Sequence, residues 1–193
     1  LYMSLSGLRK ISLIETPPRN RHPVKTEVTA FDETTIHDAI SEEISRDGQV
    51  FFVHNRVQSI HSMKAFLERL VPGVRFGVAH GQMHEHELED VVLAFIDRKY
   101  DVLVSTMIIE SGLDIPNVNT LIVNRADKFG LAQLYQLRGR VGRRERQAYA
   151  YFLVPRQISL TPSAIKRLQA MEEFGALGSG YRLAMRDLEI RGA

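Results

Sequence analysis

The stretch QVFFVHNRVQSIHSMKAFLERL, residues 49–70, decides the architecture. Its opening, Val50 to Val53, is continuously apolar rather than alternating, which marks a strand buried on both faces, as in a parallel sheet. Its second part repeats apolar side chains at Ile60, Met63, Phe66, Leu67 and Leu70, the spacing of one helix face. Upstream, VKTEVTA (24–30) precedes Ile36, Ala39, Ile40 and Ile44 at helical spacing, closed by Gly48. Downstream, VRFGVAH (74–80) precedes Leu88, Val91, Val92 and Phe95, and further β-rich runs follow at 101–106 (DVLVST), 120–124 (TLIVN) and 148–154 (AYAYFLV). Strands that alternate with helices in this way predict a three-layer, doubly wound α/β domain with a mostly parallel sheet.

The flanks read differently. Residues 16–24, TPPRNRHPV, hold three of the chain's seven prolines, which favours extended backbone, so residues 1–22 are expected to be a connector. Leu1 opens the chain without a start methionine, as expected of a piece of something longer. The sheet domain is assigned to 23–156. Beyond Pro155, Ala164, Leu168 and Met171 mark a helix that Gly175, Gly178 and Gly180 interrupt, and Leu183 to Leu188 start another, so 157–193 is expected to be a helical hairpin.

Composition excludes several classes. With 44% hydrophobic and 25% charged residues the chain is globular. With no cysteine it has neither a disulfide framework nor a thiolate metal site, and a reducing compartment is the expected setting. No apolar run approaches the roughly 20 residues that cross a bilayer, so no membrane contact is expected. Twenty-five Lys plus Arg against 23 Asp plus Glu leaves a net charge of +2, and only local clustering points to a partner.

That clustering is densest in QLRGRVGRRER (136–146), five arginines against one glutamate. Gly139 and Gly142 stand immediately before Arg140 and Arg143, and guanidinium forks beside permissive glycine backbone suit phosphate. A second candidate is VLVSTMIIESGLDIPNVNTLIV (102–123), in which a buried strand ends at Ser105 and Thr106 and a loop carries Gly112, Asp114 and Pro116. Ligands of open α/β sheets bind outside the carboxyl ends of strands, where Asn55 and Arg56, His80 and Gly81, and Ser105 and Thr106 are all expected. The arginine segment is expected to reach the same rim through its preceding helix. No Gly-Lys pair occurs, so the GxxxxGK[ST] phosphate loop is absent from this sequence. Asp32 and Glu33 imitate a Mg²⁺-binding box but precede a helix start at Thr34 or Thr35, where capping is expected. His80, His84 and His86 imitate a zinc site, but Gly81 breaks the first spacing, so a solvated helix start with Glu85, Glu87 and Glu89 is expected and no metal is assigned.

The segments QVFFVHNRV, AHGQM, TMIIESGLDIP and QLRGRVGR resemble, in order and spacing, motifs IV to VI of superfamily 2 helicases and translocases, and the match covers nearly the whole chain. RADKFGLAQLYQLRGRVGR with a later DLEIRGA is similar to the branch shared by RecG-type branch-migration helicases and bacterial transcription-repair coupling translocases. The details SGLRKISLIETPP and AYAYFLVP lie nearer the latter. The resemblance implies a second RecA-like domain of an ATP-driven double-stranded DNA translocase, with residues 1–22 leading from a first RecA-like domain that supplies the phosphate loop and holds most of the ATP and Mg²⁺. It implies Arg140 and Arg143 as arginine fingers with Gln136 beside them, and Gly112 and Asp114 in the nucleotide cleft. Asn55, Arg56, His80, Gly81, Ser105 and Thr106 would follow DNA, and Arg191, in a translocation motif begun by DLEIRG, would couple the two. RNA polymerase and UvrA are the implied partners of the whole protein, in a bacterial cytoplasm, and this chain alone would be monomeric and inactive. A stand-alone nucleic-acid-binding module and a zinc hydrolase are the rival readings.

Overall fold

The computed structural model describes residues 22–106, 117–142, 145–175 and 190. Six strands form one sheet: β1 (Lys25–Ala30), β2 (Gln49–Val53), β3 (Phe76–Ala79), β4 (Val102–Ser105), β5 (Val118–Val123) and β6 (Tyr149–Val154). Their order is β1-β6-β5-β2-β4-β3, and every neighbouring pair is parallel. The helices are α1 (Glu33–Ser45), α2 (Val57–Leu70), α3 (Glu85–Ile96), α4 (Leu131–Arg138) and α5 (Pro162–Glu173), with a short 3-10 turn at Ala126–Lys128. This is the RecA-like α/β fold expected, with a sheet that is wholly parallel among the described residues.

The continuous apolar runs make two cores because successive strand residues face opposite ways. Phe51 and Val53 of β2 join Leu103, Phe152, Phe95 and the α4 leucines 131, 134 and 137 on one face. Val50 and Phe52 join Val104, Ile122, Ile36, Ile40, Ile60 and Leu67 on the other, under α1 and α2. All five β2 residues are buried. Each large apolar side chain buried in this way contributes about 1.5–3 kcal/mol, which holds the strand centred in the sheet.

Helix ends follow local chemistry. Asp32 is the extended residue before α1, and its Oδ2 accepts from the Thr35 backbone N–H at 2.9 Å, so the acidic pair serves as a helix start. That bond holds the Asp32 carboxyl below its usual pKa. Helix α3 opens with Glu85 and Glu87, and Glu87 accepts the His84 N–H at 3.4 Å. Gly48 does not close α1 by its conformation: Asp47 takes the left-handed turn instead (φ 60°). Gly48 is needed because an added Cβ would stand 1.8 Å from Glu43 Oε1.

Beyond the sheet, α5 packs as a layer helix. Ala164, Leu168, Ala170 and Met171 are buried, and Glu172 Oε1 accepts the Val28 N–H of β1 at 2.9 Å. The second helix expected at 183–188 lies outside the described residues. No described helix is long and apolar enough to cross a membrane.

Candidate functional site

Parallel strands all leave the sheet at one edge, and the adjacency β2-β4-β3 brings three predicted pairs together there. Asn55 and Arg56 follow β2 and are exposed, Ser105 ends β4 with Thr106 beyond it, and His80 and Gly81 follow β3. Backbone bonds tie the three exits: His54 N–H donates to Ser105 O at 2.8 Å and Thr106 N–H to Ala79 O at 3.2 Å. Ser105 and Thr106 are buried, and neither hydroxyl has a hydrogen-bond partner among the described residues. The His80 ring faces His61 edge-on at 6.1 Å, and its Nδ1 accepts from the Gln82 N–H at 3.3 Å.

Two residues of this edge escaped the sequence reading. Asn124, which follows β5, places its Nδ2 3.1 Å from His54 Nδ1, and His54 Nε2 lies 2.8 Å from Ser59 Oγ in the first turn of α2. With Asn124 donating, Nδ1 is the acceptor and Nε2 carries the proton toward Ser59. Burial, helped by the Arg56 charge, pushes the His54 pKa below its ordinary value, so the ring is neutral at pH 7 and fixes the turn that presents Asn55 and Arg56.

The arginine segment sits elsewhere. Helix α4 begins past the carboxyl end of β5 and returns toward its start, so that the Gly142 N–H donates to Val118 O, at the first residue of β5, at 3.4 Å. The expectation that this segment shares the carboxyl rim is therefore corrected: its described residues reach the amino edge, because a helix connecting two parallel strands must carry the chain back across the sheet.

The arginines of this segment differ in what they touch. Arg138 is 4% exposed and donates to Met171 O and Phe174 O, both at 2.7 Å, and to Thr26 Oγ1 at 3.2 Å. It lies 5.7 Å over the Tyr135 ring, and burial pulls its pKa below the ordinary guanidinium value. It thereby satisfies carbonyls at the end of α5, which no reading of the run as a charge cluster reveals. Arg146 donates to the Arg46 carbonyl. Arg140 is half-buried one residue past Gly139; its backbone N–H donates to Leu137 O at 3.0 Å, and its guanidinium has no hydrogen-bond or ion-pair partner among the described residues. Gln136 is exposed on α4. Gly142 needs its glycine, with φ 78° and an added Cβ 2.8 Å from Ala148 Cβ, whereas Gly139 is in ordinary helical conformation. Gly112, Asp114, Arg143 and Arg191 lie outside the described residues.

Among the described residues, no three His, Asp or Glu side chains stand close enough to hold a metal ion. A half-buried, unpaired guanidinium suits a phosphate oxygen, and the unpartnered Ser105 and Thr106 hydroxyls beside the exposed Asn55 and Arg56 suit a polyanionic backbone.

The sheet is thus all-parallel among the described residues, with polar strand exits at one edge and Arg138, Arg140 and Arg146 in the segment that reaches the other. The chain belongs to the helicase conserved C-terminal domain family, whose model matches residues 33–145. It is 56% identical over all 193 residues to transcription-repair-coupling factors of Staphylococcus epidermidis and of Myxococcus xanthus, and spans 16% of the length of each. Among solved structures, RecG bound to a three-way DNA junction superposes with a TM-score of 0.77 and 35% identity over 91% of this chain and 23% of RecG. The C-terminal domain of the DEAD-box protein Dbp5 superposes at 0.57 over 89% of this chain and 98% of its own, at 17% identity, a likeness of fold alone.

Proposed function

We propose that this chain is the second RecA-like domain of an ATP-dependent double-stranded DNA translocase that displaces RNA polymerase stalled at lesions and recruits excision repair through UvrA. The observation that carries the reading is the unpaired Arg140 guanidinium at the amino edge, in a segment whose neighbours Arg138 and Arg146 are engaged within the fold. Arg140, with Arg143 and Gln136, would meet ATP held with Mg²⁺ by a first domain, and Gly112 and Asp114 would complete that cleft. Such fingers act on charge that develops at the γ-phosphate and are worth roughly 10³–10⁵ in rate, so hydrolysis requires the two domains to close. The carboxyl edge, Asn55, Arg56, His80, Gly81, Ser105 and Thr106, would track DNA phosphates. Arg138 joins the arginine segment to the end of α5 and so supports a mechanical link to the downstream residues, where Arg191 would couple hydrolysis to movement.

The 35% identity to RecG supports a second reading, branch migration at DNA junctions. Both are tested in a chimera in which this chain replaces the matching segment of the Staphylococcus epidermidis coupling factor. Arg140→Ala is expected to slow DNA-stimulated ATP hydrolysis at least about a hundredfold with nucleotide affinity little changed, and Arg140→Lys not to restore it, since a point charge cannot reproduce the fork. Unchanged hydrolysis would reject the finger and favour a stand-alone DNA-binding module. Displacement of stalled polymerase without junction unwinding selects the first reading over the second.

A further inference from the structure

A carboxylate that the proposed function leaves unused lies between the last turn of α1 and β5. Glu43, in the last turn of α1, is 1% exposed. Its Oε2 accepts from the Thr120 hydroxyl of β5 and pairs with the Arg46 guanidinium, while Oε1 has no partner among the described residues. Burying a carboxylate is costly unless it is paired, and a burial of this depth, accommodated by the missing Cβ of Gly48, calls for a purpose beyond stability.

Arg46 supplies one. Held by Glu43, it donates from Nη1 to Gln147 O at 3.0 Å, and its guanidinium lies 5.2 Å over the Tyr149 ring. Its own carbonyl accepts from Arg146 Nη1. Three of the four residues from Arg146 to Tyr149 therefore touch Arg46. At the opposite end of the segment, Arg138 is fixed by Met171 O and Phe174 O. Between these two anchors Val141 is buried in the core and the Gly142 N–H donates to Val118 O at 3.4 Å, so that the stretch following Gly142 in the sequence, which carries Arg143, ends on the Arg46 contacts.

We propose that Glu43 and Arg46 are positioning residues for the arginine segment: Glu43 aims Arg46, and Arg46 fixes the chain at Arg146 and Gln147 so that the intervening guanidinium groups meet the γ-phosphate in register. The inference rests on the finger role proposed above. A finger must be placed to within about 0.5 Å to act on the transition state, and a loop tethered at only one end does not hold that tolerance.

The test uses the chimera with Arg46→Lys, Arg46→Ala, Glu43→Gln and Arg146→Ala, and Arg140→Ala as reference. The lysine variant keeps the charge against Glu43 but cannot reach Gln147 O and the Tyr149 face together. The expected result is a tenfold or greater loss of kcat for Arg46→Lys and Glu43→Gln, KM for ATP within twofold, an unfolding temperature within a few degrees, and partial recovery of Arg46→Ala by millimolar guanidinium ion. Arg146→Ala removes only an exposed contact and leaves the buried pair intact, so it is expected to lower kcat severalfold even where the other variants fold poorly. Folded variants with unchanged kcat would overturn the proposal, as would losses that simply follow the unfolding temperature with no guanidinium recovery and an unaffected Arg146→Ala. If Arg140→Ala is itself fully active, the finger reading has failed; if Arg140→Ala is inactive and the Arg46 variants are normal, only the positioning role has failed.

Discussion

At the scale of single residues, the groups that matter are the polar ones the fold has dried. His54 is the clearest. Its pKa is pushed below the ordinary 6.5 by burial first and the Arg56 charge second. The unfolded chain therefore takes the proton before the folded one does. The stability contributed by neutral His54 is complete above about pH 6.5 and is lost as pH falls from there toward the folded pKa, with a slope of up to about 1.4 kcal/mol per pH unit. Urea unfolding at pH 7.5, 6.5 and 5.5 is expected to show that decline, and His54→Gln, which can still bond Asn124 or Ser59, to flatten it. Neither His54 nor Asn124 stood out in the sequence, because a single polar residue closing an apolar run looks like the end of a strand. Arg138 was hidden for the opposite reason: among five arginines nothing distinguishes the one that is buried, since its partners are carbonyls of Met171 and Phe174, more than 30 positions away in a different helix.

At the scale of elements, periodicity carried the reading well wherever burial was two-sided. The runs 50–53 and 102–105 read as inner parallel strands, and β2 and β4 are neighbours with a further strand on either side of the pair. Their exits lie side by side at the carboxyl edge. What periodicity could not supply was the path of α4, because eight residues of helix look the same whichever edge they end on, and so the arginine segment was expected at the wrong rim. The glycine pair in that segment shows the same limit, since spacing made Gly139 and Gly142 equivalent and backbone conformation separates them. Gly142→Ala forces a side chain into a left-handed turn and against Ala148, and is expected to cost about 2–4 kcal/mol in chemical denaturation. Gly139→Ala, in helical conformation with its nearest atoms at 3.4 Å, is expected to stay within about 0.5 kcal/mol of the parent. Equal losses at both sites would mean that the turn is not what holds the segment.

At the scale of the molecule, the two edges divide the labour the proposal assigns: phosphate chemistry at the amino edge, DNA at the carboxyl edge. Half of the nucleotide machinery is wanting in such an arrangement, since the 193 residues contain no Gly-Lys pair and hence no phosphate loop. The purified chain, with double-stranded DNA and Mg-ATP, is accordingly expected to release no phosphate above a blank in a continuous assay, and turnover by a clean preparation would sink the two-domain scheme. The spacing of those edges has a further consequence. Between them run strands such as β2, five residues or about 16 Å long, buried on both sides. A strand of this kind is a ruler that drift cannot recalibrate: adding or removing one residue turns every later side chain to the wrong face and ruins both cores at once. The turns at either end can lengthen or shorten freely, while the two sites the proposal assigns stay one fixed distance apart.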